Sequence, residues 1–319
     1  MEAESRAIDA RPLDAGIATP PASRRLPARS RASTFDLVRD YLALTKPRII
    51  ALLLVTTVAT MLVADPAGPG LATVIWTMIG GYLAAGGAGA INHYLDREAD
   101  ARMARTRRRP LVSGRIEPRH GLIFGIALGA IAFVQLAVTV NLLAAALSMA
   151  GLLGYVFVYT LWLKPLTPQN IVIGGAAGAV PPLVGWAAAT GSLPPEAFYP
   201  FAVVFFWTPP HFWALSLLIK DDYARTGVPM LPVVRGEAET RRQIVIYAFV
   251  LLAVSLLPVA GGLFDGIYLA AALLLGGALC ALALRLRATP TRPAALRLYL
   301  YSLVYLALLF AAMAADRVL

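Results

Sequence analysis

The feature that most restricts this chain is a succession of long apolar runs, each closed by a short polar segment. Nine runs reach the length a helix needs to cross a hydrocarbon layer, about 20 residues: about 48–64, 70–91, 120–140, 142–163, 171–190, 197–219, 243–262, 266–286 and 296–315. Inside a bilayer every backbone N–H and C=O must find a partner within the segment, so such runs fold as helices. The predicted fold class is therefore all-α: a polytopic membrane protein with nine transmembrane helices in one bundle. Composition agrees, with 59% hydrophobic and 14% charged residues, where a soluble domain carries roughly 25% charged. An ordinary soluble enzyme is excluded. The single cysteine, Cys280, excludes an internal disulfide and a thiolate metal cage.

Gly86-Gly87-Ala88-Gly89-Ala90 and Gly174-Gly175-Ala176-Ala177-Gly178 lie inside two of the runs. Small residues let helix backbones approach closely in lipid. Pro181-Pro182 and Pro209-Pro210 predict kinks that free backbone carbonyls. Such breaks are tolerated at membrane depth only where protein or a water-filled cavity covers them. Residues 1–34 are rich in Pro, Ala, Ser and Arg with no apolar period and are expected to form a disordered cytoplasmic tail. Residues 35–319 are expected to form one transmembrane domain. Glu2, Glu4, Asp9 and Asp14 break the acid-poor pattern of an organelle transit peptide. The expected location is a bacterial inner membrane, with the mitochondrial inner membrane second.

The net charge of +10, from 28 Lys+Arg against 18 Asp+Glu, would suit a nucleic-acid binder were it not for its distribution. All of the Lys and Arg except Arg317 fall on the N-terminal side up to Arg48, or between runs 2–3, 4–5, 6–7 and 8–9 and at the run ends facing those loops. Positive loops stay cytoplasmic, so the N-terminus is expected inside and the C-terminus outside. The charge reads as topology, the lipid bilayer as the partner, and no nucleic acid is expected.

The chemistry concentrates on that basic face. Asn92, Asp96 and Asp100 recur every four residues just past the second run. On a helix this sets three oxygen side chains on nearly one face. Like carboxylates at that spacing repel by a few tenths of a kcal/mol, a cost a hard cation removes. Mg²⁺ takes oxygen ligands, keeps waters and commonly bridges one or two carboxylates to substrate phosphates. The Arg run that follows would face the same anion. The plainer alternative is a solvated helix extension held by Asp–Arg pairs. A second cluster, Lys220-Asp221-Asp222-Tyr223-Ala224-Arg225, follows the sixth run. It offers a second cation site or the far side of one phosphate site, or else an ordinary helix-end charge cluster. Its offset from the first suits an internal duplication with runs 2 and 6 as counterparts.

Asn92-x-x-x-Asp96-x-x-x-Asp100 is similar to the first Asp-rich motif of the UbiA superfamily of intramembrane prenyltransferases. Further segments resemble the branch that farnesylates protohaem IX. They include Thr45-Lys46-Pro47-Arg48, Arg105-Thr106-Arg107-Arg108-Arg109-Pro110-Leu111, Ser113-Gly114-Arg115 and Tyr159-Thr160-Leu161-Trp162-Leu163-Lys164. Asn170-Ile171-Val172-Ile173-Gly174-Gly175, Trp207-Thr208-Pro209-Pro210-His211-Phe212-Trp213 and Gly227-Val228-Pro229-Met230-Leu231-Pro232 complete the likeness, which covers about 40–319. It departs at one point: many relatives carry a second Asp-x-x-x-Asp, and here Asp221-Asp222 is followed by Arg225.

The resemblance implies a UbiA-like bundle with 35–319 as the prenyltransferase domain. It implies transfer of farnesyl from farnesyl diphosphate to a vinyl group of haem B, forming a hydroxyethylfarnesyl group and releasing diphosphate. The metal would be Mg²⁺ on Asn92, Asp96 and Asp100, with Asp221 or Asp222. Asp96, Asp100 and Asp222 would be catalytic through it. Lys46, Arg48, Arg105, Arg109, Lys164, Lys220 and Arg225 would bind the diphosphate, with Tyr223 beside them as a substrate contact or as packing. His211 would contact haem iron, as imidazole often does, or instead bond a carbonyl freed by Pro209-Pro210. Haem A synthase or oxidase-assembly proteins would be the partners. The rival acceptor is an aromatic quinone precursor. A secondary transporter is disfavoured because ionisable residues near the bilayer midplane are scarce. A structural assembly subunit would have no need of paired Asp clusters.

Overall fold

In the computed structural model, residues 33–319 are described, and they are helical with no strand among them. The expected tail lies outside the described residues except at its end, where Ser33 caps the first helix by accepting the Asp36 N–H at 3.2 Å. The order is α1 Thr34–Thr45, α2 Pro47–Ala64, α3 Leu71–Leu95, α4 Arg97–Arg102, α5 Pro118–Thr139 and α6 Leu142–Leu153. A π-helical segment, Gly154–Leu163, joins α6 to the single turn α7 Lys164–Leu166. Then come α8 Asn170–Thr190, α9 Phe198–Leu218, α10 Lys220–Thr226, α11 Leu231–Val234, α12 Gly236–Ala260, α13 Gly266–Ala288 and α14 Arg292–Val318. Among the described residues nine helical spans are long and apolar enough to cross a membrane, in the order and near the bounds expected.

Amphipathic α1 exposes Phe35, Val38 and Leu42 on one face while Asp40, Leu44 and Thr45 are buried on the other, the pattern of a helix lying in the membrane interface. It ends at Lys46, whose φ of 59° and ψ of 54° turn the chain left-handed into α2. Pro47 opens α2, its fixed φ matching the helix at the one position where a missing N–H costs nothing. Val138 and Leu274 are 79% and 74% exposed, an arrangement that costs free energy in water and none against lipid tails.

Close backbone contact organises the bundle. A Cβ on Gly87 of α3 would lie 2.7 Å from the Gly125 carbonyl oxygen of α5, and one on Gly185 of α8 would lie 2.3 Å from the Thr57 carbonyl oxygen of α2. Only glycine permits either crossing. The second half of the chain packs around Tyr268, Tyr305 and Phe310, all fully buried. The Tyr305 hydroxyl meets Ser255 Oγ at 2.9 Å and the Tyr268 hydroxyl donates to the Ser255 carbonyl at 2.8 Å, so both polar tips are satisfied.

One local expectation is corrected. Asn92, Asp96 and Asp100 do not share one uninterrupted helix: α3 ends at Leu95, Asp96 is the junction residue, and α4 starts at Arg97. The backbone still closes from Asp96 N to Asn92 O at 2.9 Å and from Asp100 N to Asp96 O at 2.8 Å, so the break is local. Both proline pairs lie inside helices, Pro181-Pro182 in α8 and Pro209-Pro210 in α9.

Candidate active site

The ends of α1, α3 and the π-helical segment bring three sequence-distant groups together. The Lys46 ammonium donates to Asn92 Oδ1 at 2.6 Å. The Asn92 amide donates to Asp96 Oδ2 at 2.8 Å and to Thr160 Oγ1 at 3.3 Å. The Lys164 ammonium reaches the same Asp96 oxygen at 2.5 Å. One motif asparagine and one motif aspartate are thus clamped between two lysines from opposite sides. Asp100, buried one turn further, binds Arg109 at 2.5 Å. The second cluster joins the first through Asp222, which accepts the Ala104 N–H at 3.2 Å and pairs with Arg225. Asn92, Asp100 and Asp222 are buried, at 3%, 4% and 8% exposure.

The π-helical segment explains how α6 contributes. Its wider turn closes between residues five apart, as the Thr160 hydroxyl does on the Tyr155 carbonyl at 2.9 Å. Tyr155 and Tyr159 then stack at 5.3 Å, while Thr160 meets Asn92 and Lys164 meets Asp96. Such insertions in a helix gather at functional sites. Burial and the positive charge of Arg109 push the Lys46 ammonium down to about 7, against the pull of Asp96 and Asp100. Burial pushes the Tyr223 hydroxyl up to about 12, and its ring packs with Met103, Ile171 and Met230.

Beneath this polar mouth lies an apolar chamber of about 230 Å³ between α2, α3, α6 and α8. Lys46 and Tyr155 stand at its polar end, and Leu53, Ala84, Leu152 and Val184 are among its walls. Pro181 and Pro182 bring no N–H to α8, so Ala177 and Gly178, four residues back, lose their usual helical donors. Both line the chamber.

Other expected residues lie elsewhere. The Lys220 ammonium is held by Glu237, a hydrogen bond that raises its pKa; it faces α12 and not the carboxylates. Arg48, Arg105 and Asp221 are exposed at the rim. His211 bonds no freed carbonyl: its Nδ1 meets Ser302 Oγ at 2.7 Å, and its ring stacks between Trp207 at 4.2 Å and Tyr299 at 4.9 Å. It does not line the chamber. Sequence reasoning missed Tyr155 and Thr160 as members of the site. The spacing to Lys164 was visible, but only a π-helical turn puts all three on one face.

The fold and the site define a polytopic membrane protein with a cation-lined carboxylate cluster over an apolar chamber. The chain belongs to the UbiA prenyltransferase family, whose profile matches residues 53–312. It is 56% identical over 283 residues to the protoheme IX farnesyltransferase of Roseiflexus sp. (strain RS-1), covering 89% of this chain and 53% of that protein. It is 53% identical to the protoheme IX farnesyltransferase of Symbiobacterium thermophilum, covering 91% and 97%. The chain spans about half the length of the Roseiflexus relative and nearly all of the Symbiobacterium one. Among solved structures it is similar to a digeranylgeranylglyceryl phosphate synthase, with a TM-score of 0.72 at 16% identity over 88% of this chain and 98% of that one. It is also similar to a UbiA homolog from Archaeoglobus fulgidus bound to DMAPP and Mg²⁺, with a TM-score of 0.62 at 16% identity over 86% and 99%. These likenesses show the fold.

Proposed function

We propose that this chain transfers farnesyl from farnesyl diphosphate to a vinyl group of haem B, yielding the hydroxyethylfarnesyl haem and diphosphate. The observation that carries the reading is the Lys46–Asn92–Asp96–Lys164 chain at the mouth of an apolar chamber. It presents cations and carboxylate oxygens where a diphosphate would sit, with apolar space below for an isoprenoid. The names of the Roseiflexus and Symbiobacterium relatives support the acceptor.

The donor set suits Mg²⁺, which takes oxygen ligands and is commonly held through one or two carboxylates, waters and substrate phosphate. Asn92 and Asp96, hydrogen-bonded to each other at the chamber mouth, would hold it with one further carboxylate, Asp100 or Asp222. When bound, Mg²⁺ draws charge from the diphosphate and improves it as a leaving group. Lys46, Lys164 and Arg109, now on those oxygens, exchange them for diphosphate oxygens, and Arg225 follows from Asp222. Such cation contacts strengthen as charge grows on the leaving group.

The vinyl π electrons form the new bond to farnesyl C1 while the C1–O pair leaves with diphosphate. The inner vinyl carbon then takes a water oxygen, and that water loses a proton. The chamber keeps water from the allylic carbon until the carbon–carbon bond forms. Tyr155, whose ring centroid lies 6.0 Å from the Lys46 ammonium, offers a π face to positive charge. The Ser302 bond fixes His211 Nδ1, and Nε2 is the nitrogen that would contact haem iron. The basic face supports a cytoplasmic N-terminus and a bacterial inner-membrane location, and haem A synthase or oxidase-assembly proteins are the partners such a product implies.

The test is an assay in detergent with labelled farnesyl diphosphate, haem B and Mg²⁺. Label moves to haem and a chelator stops it. Label that moves only to an aromatic quinone precursor replaces the acceptor, and no transfer to either overturns the reading.

A further inference from the structure

The chamber has a closed end. Thr57, Val184 and Ser148 line its deep part. One helical turn beyond each stand Met61, Ala187 and Ala144, all 0% exposed. Met61, Ala144, Val184 and Ala187 pack as one cluster, which seals the space between α2, α6 and α8.

Along α2 the depth from Lys46 to Thr57 is about 16 Å at 1.5 Å per residue, and Gly185 of α8 meets Thr57 at that level. An extended carbon chain advances about 1.2 Å per bond, as in the polypeptide's roughly 3.5 Å per three bonds, so the geranyl, farnesyl and geranylgeranyl main chains span about 8, 13 and 18 Å. Three isoprene units fit above the floor and a fourth does not.

We propose that this floor is a length gauge for the isoprenoid, with Met61 as its specificity-determining residue. The proposal rests on the chamber being the isoprenoid site. Met61 is the largest side chain of the sealing cluster, and truncating it opens α2 toward Val74 and Leu143, which pack on the same cluster. Gly178 provides an independent handle. It lines the chamber, and a Cβ built there meets nothing within 4 Å. It stands about 10 Å back along α8 from Gly185, which meets Thr57 at the floor, so it sits about 6 Å below Lys46, beside the second isoprene unit. A large side chain at Gly178 shortens the usable chamber without disturbing the floor.

The experiment compares geranyl, farnesyl and geranylgeranyl diphosphates as donors to haem B in the wild type, Met61→Ala and Gly178→Leu. Their non-hydrolysable thiolodiphosphates are compared by equilibrium binding without haem. The wild type prefers farnesyl over geranylgeranyl at least tenfold. Met61→Ala reduces that ratio at least tenfold, and Gly178→Leu lowers farnesyl and geranyl alike by at least tenfold. If Met61→Ala does not fold, the wild-type length order in thiolodiphosphate binding decides. Equal use or binding of farnesyl and geranylgeranyl by the wild type overturns the gauge, as does a wild-type ratio in folded Met61→Ala or wild-type binding of both shorter donors by folded Gly178→Leu. A preserved length order in thiolodiphosphate binding with no label reaching haem supports the gauge and fails only the acceptor reading.

Discussion

Lys46 joins two demands that pull apart, and substituting it separates them. It is the only non-glycine residue with positive φ among the described residues, and its ammonium holds Asn92 at 2.6 Å. A left-handed backbone costs an L-residue about 1–2 kcal/mol. Glycine avoids that cost but loses about 0.5–1 kcal/mol more chain entropy on folding. Lys46→Gly and Lys46→Ala remove the same hydrogen bond and the same buried charge, so their difference isolates the backbone. Glycine should be the more stable by about 0.5–1 kcal/mol, the reverse of its effect inside a helix. Both should lose a charged hydrogen bond to diphosphate, about 1.5–3 kcal/mol, which is roughly 10- to 100-fold in the KM for farnesyl diphosphate. Thermal unfolding in detergent reads the first effect and steady-state kinetics the second. An alanine variant as stable as the glycine variant would refute the strain argument. Wild-type KM in both variants would remove Lys46 from the diphosphate site.

Asp96→Asn leaves the chain inserted but removes most turnover, on the order of 100-fold or more, because a charged ligand to Mg²⁺ and the partner of Lys164 are lost together; haem product at near wild-type rate with Mg²⁺ present would show the assignment wrong. His211→Ala lowers haem affinity at least tenfold in a Soret titration, and unchanged affinity eliminates the iron contact. Gly185→Ala destabilises by about 2 kcal/mol or more, since its Cβ would meet the Thr57 carbonyl oxygen at 2.3 Å and the α2–α8 crossing must open; an unfolding midpoint equal to wild type would contradict the close approach.

The nine apolar runs determined nine helices, because a segment of that length in lipid can satisfy its backbone only by coiling on itself. The acidic motif and the surrounding basic residues were equally legible, since Asn92, Asp96, Asp100 and their cations announce themselves by type and spacing. Spacing could not say which cation serves which carboxylate. Lys164 reaches Asp96 although the two lie on different spans, whereas Lys220, closer in sequence to Asp222, turns to Glu237. Nor did the sequence show that α6 widens into a π-helical turn, which depends on packing and on the Thr160–Asn92 contact. The floor of the chamber was least legible. Met61, Ala144 and Ala187 are ordinary apolar residues in ordinary apolar runs, and only the approach of α2, α6 and α8 turns them into the end of a cavity. Chain chemistry thus determined the elements and the reactive groups, because helix formation in lipid and charge placement are local. Tertiary structure decided partners, depth and shape, because these depend on which helices meet.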